Sequence, residues 1–311
     1  MRAVRFDAFG GPEVLRVVEL PEPHPGPGEV RIRVRAATVN PTDLLTRSGI
    51  RGKVTRGVRL PYTLGMEAAG EVDEVGDGVE LAVGDRVMAL TLPFGPHGGA
   101  YAEHVVVPRP QVVAVPAGMP AVEAATIPMN GLTAVLAVEA LPATAGAWVG
   151  VTGAAGCVGG YAVQLAVAAG LRVVADAAPA DEALVRSLGA HAVVERGDGV
   201  STRFRAVAPG GLAGLVDAST QQGRLVPALA DRGTLILLRA WDSAPGRDIR
   251  SRFVTVVEAL DRPELLVRLR DLAERGVLTP RVATTLPAER APEAHRLVAG
   301  GGVRGRVVLT F

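Results

Sequence analysis

The chain of 311 residues has a single cysteine, a single lysine and only 4 % aromatic residues. One cysteine, Cys157, excludes an intramolecular disulfide and any zinc site built from several thiolates. Lys53 is the only lysine, so nearly all positive charge is arginine. With 33 basic and 32 acidic residues, neither sign is in the excess that nucleic acid or an acidic substrate would call for. Charge is missing altogether from Ala140 to Leu171, a run longer than the ~20 residues of a spanning helix. Pro142, Thr144, Thr152 and seven glycines interrupt that run, which reads instead as an apolar strand followed by an apolar helix. A parallel sheet covered on both faces requires that pattern, so no membrane association is expected. The opening "MRAVRFDAFG" lacks the apolar core of a signal peptide, and a cytoplasmic protein is expected.

Hydrophobic residues make up 48 % and charged residues 21 %, enough apolar side chain for a buried core. Residues 1–115 read as β-rich: "EVRIRVRAATV" (29–39) alternates with period two, and strands in 69–90 are broken by Gly-Asp turns. A helical composition follows over 121–140, interrupted by Pro128 and Gly131. From 147 onward, strands ("AWVGVT", "LRVVADA", "HAVV", "GLVDAS", "TLILLRA") alternate with helices, which predicts βαβ units and a doubly wound parallel sheet. A helix over 263–276, another near 291–299 and the strand "GRVVLTF" end the chain.

The stretch "VTGAAGCVGG" (151–160) sits between such a strand and such a helix. Gly153, Gly156 and Gly159 suit the three tasks of a dinucleotide loop: a tight turn, close backbone approach to a pyrophosphate, and close packing of helix on strand. The helix start then offers its N–H groups and dipole to phosphate. The spacing is G-x-x-G-x-x-G rather than G-x-G-x-x-G. Cys157 at this helix start is a candidate nucleophile. No His or Asp lies near it in sequence, and it reads as a small residue packed beside the phosphate site.

"VTGAAGCVGGYAVQLAVAAG" resembles the cofactor loop of the zinc-free quinone oxidoreductases, the zeta-crystallin-like branch of the medium-chain dehydrogenase/reductase superfamily. The stretches "LPYTLGMEAAGEVDEVGDGVELAVGDRV", "GGAYAEHVVVP", "IPMNGLTA" and "APEAHRLVAGGGVRGRVVLTF" are similar to family segments, in family order. The resemblance implies an α/β protein with a GroES-like β-rich substrate domain (residues 1–122, completed by 262–311). Its partner is a Rossmann dinucleotide-binding domain (123–261), and the usual assembly is a homodimer. It further implies an NADPH-dependent oxidoreductase, with NADH as the alternative, passing hydride to a quinone or other α,β-unsaturated carbonyl. An enoyl-thioester reductase of lipid or polyketide metabolism is the alternative of the same chemistry. A low-turnover NAD(P)H-binding structural or sensor protein is the alternative of another class.

Zinc-dependent relatives carry a catalytic Cys where this chain has Asn40 and a His where it has Met66, and no metal is expected. Reduction without zinc relies on positioning, with the Asn40 amide or water meeting the charge that develops on the substrate oxygen. The same "NPTD" also reads as a helix start, with Asn40 as N-cap, Pro41 at N1 and Asp43 at N3. Leu45 stands where several quinone reductases have tyrosine. Cofactor contacts are expected from Gly153, Ala155, Gly156, Cys157, Val158 and Gly159 of the loop, from Thr133 in "GLTA", and from Ser219. Asp176 lies about 20 residues beyond Gly156, a spacing that favours NAD(H). Aligned to the family, the acid position falls on Ala177, and because adjacent strand residues face opposite ways Asp176 is either a cofactor contact or turned away from the ribose. Arg196 is a candidate partner for a 2′-phosphate, or a solvent-exposed loop arginine. Tyr62, Met66, Met129 and Trp241 are candidate pocket walls, with packing as the competing explanation for Tyr62, Met129 and Trp241.

Overall fold

The computed structural model describes residues 1–50, 60–95, 97–142 and 144–311, so Lys53 and Pro96 lie outside the described residues. The alternating first third forms β1 (Arg2–Phe6), β2 (Arg16–Glu19), β3 (Glu29–Thr38), β4 (Tyr62–Thr63), β5 (Glu67–Val75), β6 (Arg86–Leu90), β7 (His104–Pro108) and β8 (Val112–Ala114). Along β3, Val30, Ile32, Val34 and Ala36 are buried while Arg33 and Arg35 face solvent, as period two dictates. Helix α1 (Pro41–Arg47) leaves the end of β3. The helical composition over 121–140 resolves into α2 (Ala121–Ala124) and α3 (Pro128–Glu139), with Pro128 opening the second helix where its missing N–H costs nothing. Among the described residues, Ala121–Glu139 is the one stretch long and apolar enough to cross a membrane. Of that stretch 72 % is buried inside the protein, as in a core helix.

The middle of the chain alternates β9 (Trp148–Thr152), α4 (Cys157–Ala168), β10 (Arg172–Ala177), α5 (Glu182–Ser187), β11 (Ala192–Glu195), α6 (Val200–Val207), β12 (Leu212–Asp217), β13 (Leu229–Leu237) and β14 (Arg250–Phe253). The uncharged run is therefore β9 and α4, whose side chains are covered on both sides of the sheet. Gly170, with φ +76°, ends the α4 region in the left-handed conformation that only glycine adopts without strain. The tail supplies α7 (Glu264–Glu274), β15 (Val282–Pro287), α8 (Ala291–Gly300) and β16 (Arg306–Thr310). Of these, β15 is not anticipated by the sequence.

The strands form three sheets: β2-β1-β4, a seven-stranded β15-β16-β3-β5-β6-β8 sheet with β7 on β3, and a six-stranded β11-β10-β9-β12-β13-β14 sheet. Every pairing of the six-stranded sheet is parallel. Numbered from β9, its order is 3-2-1-4-5-6, the Rossmann arrangement with its switch point between β9 and β12. The fold is thus the α/β class with a Rossmann sheet and a β-rich companion that the sequence predicts.

By contact the chain forms two units: residues 1–129, 260–274 and 280–311, and residues 130–259 and 275–279. The sequence division after residue 122 differs from this because α2 packs on β3 and β5 and so stays with the β-rich unit. Residues 275–279 join the Rossmann unit, where the Gln164 amide donates to Thr279 Oγ1 (2.9 Å) and accepts from the Thr279 N–H (3.2 Å). Each unit has its own apolar core. One is built on Phe6, Ile32, Leu64, Tyr101 and Leu309, the other on Val174, Phe204, Leu215, Leu225 and Leu235.

Candidate functional site

In the Rossmann unit, residues 153–156 link the end of β9 to the head of α4. Gly153 adopts φ +65°, and a Cβ there would lie 2.9 Å from the Ala218 carbonyl oxygen. A Cβ on Gly159 would collide with the Gly153 carbonyl, and one on Gly156 would press on the same oxygen at 3.1 Å. The turn is therefore too tight for any other residue at 153 and 159. Gly156 is the N-cap, so Cys157, Val158 and Gly159 form the first turn of α4 and the positive end of its dipole faces this turn. The α4 ladder starts with the Gly160 N–H donating to Gly156 O at 2.9 Å.

Two buried carboxylates flank the turn, at the ends of the strands on either side of β9. Asp176, the next-to-last residue of β10, accepts the Gly153 N–H at 2.7 Å and the Ala154 N–H. Burial pushes its carboxyl up, opposed by those two bonds and by the Arg196 charge. Arg196 follows β11, exposed, with its N–H on Ala177 O at 2.9 Å. Asp217, ending β12, accepts from Thr152 Oγ1 (3.0 Å), the Ser219 N–H (3.2 Å) and the Gln222 N–H (2.6 Å). Ser219 lies beside the turn, 3.4 Å from where a Gly153 Cβ would stand. Gly153, Ala155, Gly156, Cys157, Val158, Gly159, Asp176, Arg196 and Ser219 thus gather at the carboxyl ends of β9–β12. Thr133 lies half-buried on α3. Trp241 packs over Gly223 against the core of this unit, 2.8 Å from where a Gly223 Cβ would stand.

In the β-rich unit, Asn40 is the N-cap of α1, with Pro41 in the first turn and Asp43 closing a capping box. The Asn40 N–H donates to Asp43 Oδ2 at 2.8 Å. Its side-chain Nδ2 donates to Glu67 Oε1 and Thr38 Oγ1, each at 3.3 Å. Arg306 Nη2 donates to the same Glu67 Oε1 at 2.9 Å and to Thr38 Oγ1, which itself donates to Glu67. The other Glu67 oxygen accepts the Met129 N–H at 2.8 Å. Thr38, Glu67, Arg306 and Asn40 are all buried, so this is a desolvated ion pair satisfied on both oxygens. Met66, next to Glu67, accepts from Thr42 Oγ1 on its sulfur at 3.1 Å. Tyr62 is buried in an aromatic cluster, edge-on to Phe6 (centroids 5.7 Å) and 6.4 Å from Phe94.

Behind Asn40, Asp43 Oδ1 accepts the Gly65 N–H at 3.3 Å and Oδ2 accepts from Tyr101 Oη at 3.2 Å. Tyr101 Oη also lies 3.3 Å from His295 Nε2 on α8. Burial pushes the Asp43 carboxyl up to about 6 and, together with the Arg47 charge, holds the His295 imidazole down to about 3. A separate cavity of about 350 Å³ in this unit is lined by Glu29, Thr91, Phe94, His97, Val107 and Gln111, among others. It takes in none of the candidate pocket walls Tyr62, Met66, Met129 or Trp241.

Sequence reasoning missed Glu67, Arg306, Thr38, Asp217, Tyr101 and His295. One signal was available: Glu67 is the single charge in "LPYTLGMEAAG", and a lone charge in an apolar run is a buried one that needs a partner. Among the described residues no group of three or more His, Cys, Asp or Glu is placed to hold a metal ion.

A Rossmann sheet with a glycine turn at its switch point, in a chain whose second unit is built on a β-rich sheet, is the construction of a nicotinamide-nucleotide oxidoreductase. Residues 26–117 match the alcohol dehydrogenase GroES-like domain family and residues 180–309 the zinc-binding dehydrogenase family. A chloroplast envelope quinone oxidoreductase homolog of Arabidopsis thaliana is 37 % identical over 207 residues, which cover 63 % of this chain and 61 % of that protein. The quinone oxidoreductase of Rattus norvegicus is 30 % identical over 330 residues, covering 99 % of this chain and 97 % of the relative. A mycobacterial protein solved in complex with NADPH superposes over the whole of both chains with a TM-score of 0.89 and 29 % identity. The chain belongs to the quinone oxidoreductase branch of the medium-chain dehydrogenase/reductase superfamily, as its motifs predict, and is an oxidoreductase of that superfamily.

Proposed function

We propose that this protein is an NADPH-dependent reductase of quinones or other α,β-unsaturated carbonyls that works without zinc, as a cytoplasmic homodimer. The observation that carries the cofactor assignment is the glycine turn, whose tightness at Gly153 and Gly159 brings backbone N–H groups and the α4 dipole to one point. Gly153, Ala155, Gly156, Cys157, Val158 and Gly159 would hold the pyrophosphate. Ser219 and Asp176 would face the adenosine ribose, Arg196 a 2′-phosphate, and Thr133 the nicotinamide end. Bound there, the nicotinamide supplies hydride.

The donor chemistry at Asn40 and Met66 supports the zinc-free reading. The Asn40 Nδ2 is a neutral amide nitrogen whose hydrogens point at Glu67 and Thr38, and the Met66 thioether is a weak ligand already accepting from Thr42. Asn40 serves as donor to the developing charge on the substrate oxygen only by exchanging one of those two bonds for the substrate. Met66 and Met129 are the pocket walls in this reading. Tyr62 and Trp241 have packing roles.

Titration of the purified protein with NADPH and NADH, followed by a panel of quinones, enones and enoyl thioesters, tests the proposal. The expected result is NADPH binding tighter than NADH, with oxidation by quinones or simple enones. Oxidation only by enoyl thioesters moves the function to thioester reduction. Binding without oxidation by any acceptor rejects the enzyme reading.

A further inference from the structure

We propose that Tyr101 and His295 are positioning residues for the reduction, acting through Asp43 on the two chain segments that carry Asn40 and Met66. The inference rests on the reductase reading above. Asp43 ties those segments together side by side: Oδ2 accepts the Asn40 N–H at 2.8 Å, and Oδ1 accepts the N–H of Gly65, the residue before Met66, at 3.3 Å. Asp43 is itself buried, so its orientation depends on what else it is bonded to. That further bond is the Tyr101 hydroxyl at 3.2 Å.

The tyrosine is locked from its other side. Gly65 has φ +103°, and a Cβ there would lie 2.7 Å from the Tyr101 ring and 2.8 Å from the Tyr101 and Ala100 amide nitrogens. The Tyr101 N–H also donates to Leu64 O at 2.9 Å. The ring therefore lies close against the backbone of the Met66 segment, in space that only a glycine at 65 leaves open. Its hydroxyl has one proton, which goes to the carboxylate. It must then accept from His295, so the imidazole carries its proton on Nε2 at 3.3 Å. This leaves Nδ1 bare, and Nδ1 is buried with no hydrogen-bond partner. A neutral Nε2–H imidazole, a tyrosine and a carboxylate then form one directed chain, His295 to Tyr101 to Asp43, ending on the Asn40 and Gly65 amides.

Protonation of Asp43 reverses the chain. A carboxylic acid at Oδ2 can no longer accept both the Asn40 N–H and the tyrosine proton, and the tie between the two segments loosens. The charged and titratable groups that act on this chain come from every side. They are Arg306 of β16 and Glu67 of β5, Arg47 of α1 beside His295, and Arg296 of α8 and Glu13 acting on Arg47. Glu13 belongs to the short turn Pro12–Val14.

The test is steady-state NADPH oxidation with a quinone from pH 5 to 8, for the wild type, Tyr101→Phe, His295→Gln and His295→Leu, with NADPH affinity measured on each. Tyr101→Phe keeps the ring and removes the oxygen. It is expected to lower kcat roughly tenfold with NADPH affinity unchanged. It should also move the acid limb of the kcat profile upward by about half a unit to one unit, because the carboxylate loses a donor. His295→Leu behaves like Tyr101→Phe, whereas the side-chain amide that His295→Gln introduces still donates to Tyr101, and most of the activity returns. Wild-type kcat and an unmoved acid limb in Tyr101→Phe overturn the proposal. So does equal loss in His295→Gln and His295→Leu, or a loss that follows a fall in NADPH affinity. An inactive wild type rejects the reductase reading and this inference with it, a result distinct from an active wild type with indifferent variants.

Discussion

Replacing His295 by Leu is expected to change how the stability of the protein depends on pH, by an amount that the buried pair of Asp43 and His295 sets. The imidazole is held down to about 3 in the folded chain, against an ordinary value of 6.5. A depressed pKa stabilises the fold above the unfolded value, and that stabilisation is lost as pH falls from 6.5 toward 3. The Asp43 carboxyl is pushed up to about 6 from 3.8. Its contribution has the opposite sign, fully present below 3.8 and lost as pH rises through 6. Between about pH 5 and pH 7 the histidine therefore adds about 2 kcal/mol while the aspartate removes about 1.3 kcal/mol, at about 1.36 kcal/mol per unit. The two nearly cancel in the wild type. In His295→Leu the histidine contribution is lost and the aspartate contribution remains, raised further if anything, so the stability difference between wild type and variant should grow by at least about 2 kcal/mol from about pH 5 to pH 7. Urea denaturation followed by far-UV circular dichroism at pH 5, 6 and 7 measures this, and titrating groups outside the His295–Tyr101–Asp43 chain drop out of the difference. A difference that stays constant with pH would refute the reasoning, because it would mean that His295 is not held neutral by its surroundings.

Three further changes test the two units separately. Gly159→Ala places a methyl against the Gly153 carbonyl, and NADPH affinity should fall at least roughly tenfold while the far-UV spectrum is kept; unchanged affinity in a fluorescence titration would count against the turn as the phosphate cradle. Arg196→Ala should weaken NADPH roughly tenfold and leave NADH unaltered, and equal losses for both would remove Arg196 from the 2′-phosphate. Glu67→Gln leaves the Arg306 charge buried without its counter-charge, at an expected cost of roughly 3 kcal/mol in urea denaturation; a neutral effect would mean that the pair is solvated.

What the sequence made legible was local. The glycine turn could be read because strand, turn and helix lie within 21 residues of one another, from Trp148 to Ala168, and each glycine meets backbone from the same motif or from the adjacent strand end. The capping box at Asn40 and Asp43 could be read for the same reason, being closed within four residues. The strand β15 was missed because its partly exposed residues show little apolar alternation and its pairing partner, β16, lies beyond α8. The polar centres were missed because their partners come from far along the chain. Arg306 reaches Glu67 across 239 residues and His295 reaches Tyr101 across 194, contacts that exist only once the C-terminal strand has paired with β3. Asp176 shows how little of a residue's surroundings spacing alone conveys. Counted from the glycines it is a ribose ligand; the structure adds what spacing could not show, that its carboxylate also accepts the Gly153 and Ala154 amides.

The central claim is that this chain reduces its acceptor with NADPH and its own side chains, with Asn40 and Met66 in place of metal ligands. It is tested most directly by measuring quinone-dependent NADPH oxidation after exhaustive chelation, with the metal content of the same sample determined. The account predicts the same kcat before and after chelation at less than roughly one-tenth of a zinc ion per chain. Activity that disappears with chelation and returns on adding zinc would contradict it.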